Sequence, residues 1–365
     1  MRILQISSAS SIGGGERYVV DLSNALVAKG HELFAAVRPN SPLIAHLHIP
    51  KHNIKTIPLR NALDPQSARA LARIVKDQRI DVVHAHMARD YSLAAYAVRG
   101  SSAKFVVTRH VLFPLSKLHK RTLSRAHRII AVSEAVARQL ESQQLVPDAR
   151  IVVVHNGVDV ERFHNTCSSF DRDSFLAGKN IPPGNLLVTS IGELRKLKRH
   201  DDLIRAAAIV SRQVNNVQFV VAGIDTSAKG ETKNELVKLS AALNLGEQVH
   251  FPGWLSDADK LLCATDVFVS ASETESFGLS IVEAMAAGTP VVATRTEGAQ
   301  EVIEDGISGV LVPIGDVDRM AQAILQLLGD ETQRQMLGRR AYESAQQRFS
   351  LQRMVDAIEK LYLES

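Results

Sequence analysis

The chain has 365 residues, 45% hydrophobic and 22% charged, enough apolar material for two globular domains. It has no run of 18 apolar residues to span a membrane, and its first residues, MRILQISSAS, read as a strand rather than a signal peptide. The net charge of +4 is uneven: residues 1–165 hold 23 basic and 12 acidic side chains (+11), residues 166–365 hold 20 and 27 (−7).

That asymmetry fits either an anionic partner for the first part or a soluble basic surface. The two cysteines, Cys167 and Cys263, show no Cys-x-x-Cys spacing. A disulfide framework is therefore not implied, and a reducing cytosol is the expectation.

Residues 1–7 form a strand, followed by SSASSIGGGER and an amphipathic helix from Tyr18 to Ala28, closed by Gly30. Gly13, Gly14 and Gly15 allow close approach to a ligand, but the pattern is not G-x-G-x-x-G, and a flexible loop is the plainer reading. HELFAAVR, DVVHAH, KFVVTRH, HRIIAVS and IVVVHNGVD then read as strands, with SARALARIVKDQR as a helix between the first two. This alternation predicts parallel βαβ units, whose ligands sit at the carboxyl ends of the strands. His84 and His86 end one such strand and His110 another; two histidines without a third ligand do not make a metal site. Leu112 to Arg128, LFPLSKLHKRTLSRAHR, is basic with apolar residues at roughly helical spacing. It predicts either a solvated helix face or a surface for an anionic acceptor or membrane. The polar, Gly- and Pro-containing residues 161–185 read as an interdomain linker.

The second half opens with the strand LLVTSIGEL, followed directly by Arg195, Lys196, Lys198 and Arg199, which place positive charge at the ligand-facing edge of a sheet. The helix DDLIRAAAIVSRQV, the strand VQFVVAG, a helix over 235–243 and the strand QVHFPGW come next; Trp254 is expected to be packed, the alternative being a place near the base of a bound nucleotide. Residues 266–271 form a buried strand, FGLSIVEAMAA a packed helix stopped by Gly288 and Pro290, and Val291 to Ala293 another strand. Glu275 and Glu283 frame the start of that helix, at most ~12 Å apart at 1.5 Å per helical residue. Between them, unpaired N–H groups near Phe277, Gly278 and Leu279 favour an anion. The element can thus offer a carboxylate to a sugar, donors to a diphosphate and a carboxylate to a ribose. The bland alternative is two solvated glutamates on a helix. Three Asp-x-Asp triplets (Asp171/Asp173, Asp257/Asp259, Asp316/Asp318) lie in the linker or at helix starts, where aspartate caps, and none ends a strand as a metal-diphosphate site would. The chain closes with an amphipathic helix, RFSLQRMVDAIEKLYLES.

Glu275-SFGLSIV-Glu283, with DVFVSAS before it and EGAQEVIEDGISGVLVP after it, resembles the Glu-x7-Glu signature of retaining glycosyltransferases of the family-4 type. Further similarity lies in GGGERYVVDLSNALVAKGHE, in Thr108-Arg109-His110 and in Asn156-Gly-Val-Asp159 with Phe163. Gly192-Glu-Leu-Arg-Lys-Leu-Lys198-Arg resembles the family's Gly-Arg-Leu-x-x-x-Lys-Gly. Departures are Ala271 where Pro often precedes the serine, Glu297 in place of the first glycine of a pair, and Glu193 in place of arginine, with Arg195 two residues on.

The resemblance implies an α/β GT-B fold: two doubly wound Rossmann-like domains facing across a cleft. Residues 1–165 would form the acceptor-side domain and 166–347 the nucleotide-sugar domain, with the helix 348–365 packing back on the first. It implies catalytic roles for Glu275, Lys198, Arg195 and His110. Gly13, Gly14, Phe277, Gly278, Leu279 and Glu283 would bind the donor. No metal or cofactor is expected, the nucleotide-sugar being a co-substrate, and no nucleic-acid partner. The activity implied is transfer of a sugar to a glycan, lipid-linked or small-molecule acceptor, as in cell-envelope or glycoconjugate synthesis. It would take place in the cytoplasm, with a peripheral contact at the inner face of the membrane. A nucleotide-sugar epimerase on the same fold and a non-catalytic nucleotide-sugar-binding module are the alternatives.

Overall fold

The computed structural model describes residues 1–11 and 13–364; Ile12 of the glycine loop and Ser365 of the 348–365 segment lie outside them. The chain divides into two compact units, Met1–Gly157 with the chain from Leu351 onward, and Val158–Ser350. Each is built on one parallel sheet with helices interleaved.

In the first unit the strands are β1 (Arg2–Ser7), β2 (Glu32–Val37), β3 (Ile54–Thr56), β4 (Val82–Ala85), β5 (Lys104–Arg109), β6 (Arg128–Ala131) and β7 (Ile151–Val153). Helices α1 (Gly14–Ala28), α2 (Pro65–Asp77), α3 (Ala88–Ala97), α4 (His119–Leu123) and α5 (Glu134–Ser142) connect them. The sheet order is β3-β2-β1-β4-β5-β6-β7, so the winding reverses between β1 and β4. β1 shows why such a sheet forms: Ile3, Leu4 and Ile6 are fully buried in succession, the pattern of a strand covered on both faces. The C-terminal helix of the chain belongs here. Its Met354, Val355, Ile358, Leu361 and Tyr362 join the core formed by α1 and the sheet, and Lys29 of α1 pairs with Asp356 at 2.7 Å.

The second unit contains α6 (Val160–Ser168), α7 (Arg172–Gly178), β8 (Leu186–Ile191), α8 (His200–Val210), β9 (Val217–Ala222), α9 (Glu231–Ala242), β10 (Val249–Gly253) and α10 (Ala258–Ala264). It continues through β11 (Val267–Ser270), α11 (Leu279–Ala286), β12 (Val291–Thr294), α12 (Glu297–Val302), β13 (Val310–Val312), α13 (Val317–Gly329) and α14 (Glu331–Arg348). The helix α15 (Leu351–Leu363), already described, ends the chain. The sheet order is β10-β9-β8-β11-β12-β13, with its reversal between β8 and β11.

Five expectations are corrected. The boundary falls after Gly157 rather than after residue 165, and residues 161–185 are not a linker. They hold α6 and α7, and Arg172 fastens this segment to the unit by donating to Asp266 at 2.7 Å and to the Ala264 carbonyl at 3.0 Å. Cys167 of α6 and Cys263 of α10 are disulfide-bonded, with Cα atoms 5.1 Å apart, because α6 packs on α10 across 96 residues of sequence. The glycine stretch is not a loose loop: Gly13 caps α1, and its N–H donates to the Glu16 carboxylate at 2.9 Å, so the helix starts at Gly14 rather than near Tyr18. Trp254 is half exposed, at 50%, beyond the carboxyl end of β10, rather than packed.

Candidate active site

The second unit's reversal point is where its charged residues meet. β8 and β11 are hydrogen-bonded neighbours, Val188 opposite Phe268's neighbour Val267 and Thr189 opposite Phe268. Their following loops therefore emerge side by side at the carboxyl edge, where ligands of open α/β sheets bind. The loop after β8 makes a short turn over Lys196–Lys198; the loop after β11 carries Ser272 to Gly278 into α11. Glu273 N–H donates to the Leu197 carbonyl at 2.9 Å and locks the two together.

Across this join, Lys198 Nζ donates to Glu275 Oε1 at 2.6 Å, with the lysine side chain 26% exposed and the carboxylate 11%. The same carboxylate oxygen accepts from Ser272 Oγ at 2.7 Å. Ser272 is itself buried, and its carbonyl accepts from Thr294 Oγ1 at 2.5 Å, which ties the loop to the end of β12. An ammonium has three donors, so Lys198 can hold Glu275 and still reach an anion. The expected helix spacing between Glu275 and Glu283 applies only in part. Residues 275–278 form a turn, and α11 begins at Leu279 after Gly278, whose φ of +92° is left-handed. Glu283 is half-buried on the second turn of α11. The first N–H groups of α11 lack intrahelical acceptors by construction and point back at this turn.

Phe277 is placed differently from Leu279. Its side chain is buried edge-on against Phe349, ring centroids 5.5 Å apart, so only its backbone faces the turn. Gly298 explains how the turn is held. A Cβ there would stand 2.7 Å from the Glu275 carbonyl and from the Phe277 nitrogen, and the Gly298 N–H donates to that carbonyl at 3.1 Å. The departure at Glu297 leaves this contact intact. The cationic cluster, by contrast, is divided. Arg195 donates to Glu193 at 3.2 Å in an exposed pair and is not joined to Glu275. Arg199 is drawn off to Asp202 at 2.7 Å. Lys198 is the member brought to Glu275. Ser272 and Thr294 were not read from the sequence as site residues; a serine three positions before the glutamate was the available signal.

In the first unit, His110 lies just beyond β5, beside the start of α1. The Cβ position of Gly15 is 3.6 Å from the His110 ring, and Tyr18 meets that ring edge-on at 4.8 Å. Both His110 nitrogens are shielded from solvent and neither has a hydrogen-bond partner among the described residues. Burial pushes its pKa down to about 3, so the imidazole is neutral at pH 7. His84 and His86 are engaged instead. His84 bonds the Tyr362 hydroxyl at 2.6 Å and Thr108 Oγ1 at 2.7 Å, and His86 bonds Gln5 at 2.7 Å. Gly13 and Gly14 open α1 on the same edge. Among the described residues no group of three or more His, Cys, Asp or Glu side chains is arranged to hold a metal ion. Asp171 and Asp316 cap α7 and α13, accepting from the Ser174 and Arg319 N–H groups at 3.0 and 2.9 Å. Asp257 pairs with Lys179 at 3.2 Å.

Two family profiles match the chain and together take in most of it: Glycosyltransferase Family 4 over residues 12–162 and Glycosyl transferases group 1 over residues 171–344. The chain belongs to the glycosyltransferases of the family-4, GT-B type. Among curated relatives, the N-acetyl-alpha-D-glucosaminyl L-malate synthase of Bacillus anthracis is 28% identical over 98% of this chain and 96% of its own. The lipopolysaccharide core biosynthesis glycosyltransferase LpsE of Rhizobium meliloti is 29% identical over 96% and 95%. The solved structure of Anabaena Alr3699/HepE in complex with UDP and glucose superposes with a TM-score of 0.85 at 22% identity, covering 99% of this chain and 98% of that one.

Proposed function

We propose that the protein is a retaining, metal-independent hexosyltransferase that takes its sugar from a nucleotide-sugar and passes it to a glycan, lipid-linked or small-molecule hydroxyl in cell-envelope or glycoconjugate synthesis. The observation that carries this reading is the Lys198–Glu275 pair, 2.6 Å apart at the reversal point of the second sheet and beside the N-terminus of α11. Breaking the bond between sugar and diphosphate leaves negative charge on the phosphate. Lys198 and the first N–H groups of α11 supply fixed positive potential for it. Glu275, held by Lys198 and Ser272, accepts hydrogen bonds from the sugar hydroxyls. Glu283 serves the ribose in the same way. The neutral His110 is assigned to the sugar on the resemblance of its Thr-Arg-His segment. Arg195 is given a smaller part, because its side chain is exposed and pairs with Glu193 rather than with Glu275. The Anabaena neighbour's complex with UDP and glucose supports a uridine donor.

A thermal-shift panel of nucleotide-sugars identifies the donor, since a ligand at 100-fold its Kd stabilises by about 2.7 kcal/mol. Product formation is then followed with and without excess chelator, and the anomeric configuration of the product is read by NMR. Nucleotide release that requires an acceptor, survives chelation and yields the donor's own anomeric configuration is the expected result. Inverted product, or activity lost to chelator and restored by Mg²⁺ or Mn²⁺, overturns the corresponding part. Acceptor-independent interconversion of sugars would indicate an epimerase, and saturable binding with no turnover a binding module.

A further inference from the structure

The first unit contains a cavity of about 450 Å³ at the carboxyl edge of its sheet, lined by Ala9, Ser10, Arg38, Asn40, Ser41 and Arg60, with Pro39 and Pro58. Three loops build it: those after β1, β2 and β3. Ligands of a doubly wound sheet gather at this edge. Two guanidinium groups line the cavity, and among the described residues neither has a hydrogen-bond or ion-pair partner. The nearest carboxylate in sequence to Arg60, Asp64, is occupied otherwise: it accepts from Ser67 Oγ at 2.8 Å and from the N–H groups of Gln66, Ser67 and Arg60 at 3.1 to 3.3 Å. It holds the Arg60 backbone N–H, and the Arg60 guanidinium, not hydrogen-bonded to it, lies within its electrostatic reach while lining the cavity.

The backbone around the cavity is held in an unfavourable conformation. Asn40 has φ +61° and Leu59 φ +43°. Positive φ is tolerable for asparagine but a real departure for leucine, and such strain persists where surrounding structure enforces it, most often at binding sites. Here the enforcement is visible. The Leu59 side chain is fully buried and its N–H donates to Ser67 Oγ at 3.0 Å, while Ser41, 5% exposed, bonds the Arg38 carbonyl through its N–H at 3.1 Å.

We infer that this cavity binds a divalent oxyanion, a phosphate monoester or dicarboxylate, carried by the acceptor, with Arg38 and Arg60 as its ligands. Guanidinium groups match such oxyanions bidentately. Ser10 and Asn40 add polar side chains to a lining that is otherwise largely apolar, the Ser41 hydroxyl donating to the Ala9 carbonyl at 3.4 Å. The +11 charge of residues 1–165 favours the approach of an anion to the same unit. The assignment of this anion to the acceptor rests on the transferase reading; the binding of the oxyanion does not.

Calorimetric titration of the full chain with inorganic phosphate, and separately with malonate, tests the site. Both are run at constant ionic strength and with saturating UDP to occupy the donor's diphosphate position. One equivalent of at least one probe is expected to bind. R38Q and R60Q should each weaken it tenfold or more, with UDP affinity and melting temperature unchanged; the preferred probe then tells phosphate from carboxylate. Absence of saturable binding of either probe, or equal affinity in wild type and both variants, would overturn the site. Should UDP itself fail to bind, the donor reading falls, and the same comparison without UDP still decides the oxyanion site.

Discussion

Ser272 and Gly298 act on Glu275 without belonging to the charge pair. Ser272 Oγ donates to the carboxylate at 2.7 Å and fixes its rotamer against Lys198. A hydrogen bond to a charged group contributes about 1.5–3 kcal/mol. Ser272→Ala is therefore expected to lower kcat about tenfold or more with little change in melting temperature, measured by donor turnover and calorimetry together. Unchanged kcat would remove Ser272 from the site. Gly298 acts through contact. A methyl group there would stand 2.7 Å from two backbone atoms of the Glu275–Phe277 turn. Gly298→Ala should cost about 1–3 kcal/mol of stability, the usual range for overpacking, and should also reduce activity by displacing Glu275. Activity retained at full stability would show that the turn can yield. Ser272 does not carry the chemistry in its own side chain, which is why a motif of two glutamates did not disclose it; Gly298 is the second glycine of the pair whose first position holds Glu297.

At the scale of elements, the segment Leu112–Arg128 is less helical than its composition suggests; only His119–Leu123 forms a helix. Its apolar residues face both ways. Leu115 and Leu123 are buried, whereas Phe113 and Leu118 are exposed at 56% and 86%, beside the exposed Lys117, Lys120, Arg121 and Arg125. Arg128 is drawn toward Glu364 at 3.3 Å. An anionic bilayer attracts each nearby cation by about 1 kcal/mol. Co-sedimentation with anionic vesicles is thus expected at low salt, to be lost at high salt, with neutral vesicles and in K120E/R121E. Equal partitioning throughout would leave the segment a wet basic face. The α6–α10 disulfide makes a second expectation. Closing a loop of 96 residues stabilises by roughly 2–4 kcal/mol, so reductant should lower the melting temperature of the wild type but not of Cys167→Ser. Insensitivity of the wild type would show that the bond is absent in solution.

For the whole molecule, buried neutral histidines set the acid limit. Burial lowers His84 and His110 to about 3 and His200 to about 4. Unfolded, each titrates near 6.5, so their stabilisation is present above that value and is lost as pH falls toward 4 and 3, at about 1.4 kcal/mol per pH unit for each. Asp90, raised to about 6 mainly by burial, runs the other way and loses stability as pH rises from 3.8 to 6. Three histidines outweigh one aspartate. Melting temperature should therefore fall steadily below pH 6.5, and a flat profile down to pH 4 would contradict it.

Much of this architecture was legible in the sequence because buried parallel strands are short β-branched runs that alternate with helices; the order of the strands within each sheet was not. What the sequence left hidden depends on contacts between distant segments. Cys167 meets Cys263 only once α6 packs on α10, and Arg195 is paired with a glutamate that reads as a plain substitution. The cavity between three loops of the first sheet leaves no periodic trace at all. The central claim is that Lys198 and Glu275 serve the departing diphosphate and the sugar. It is tested most directly by donor turnover at saturating nucleotide-sugar in Lys198→Ala and Glu275→Ala. Removal of an electrostatic contact of this kind lowers kcat roughly 100-fold or more. That loss is expected in each variant, with the fold intact; near-wild-type kcat in either would contradict the role given to that residue.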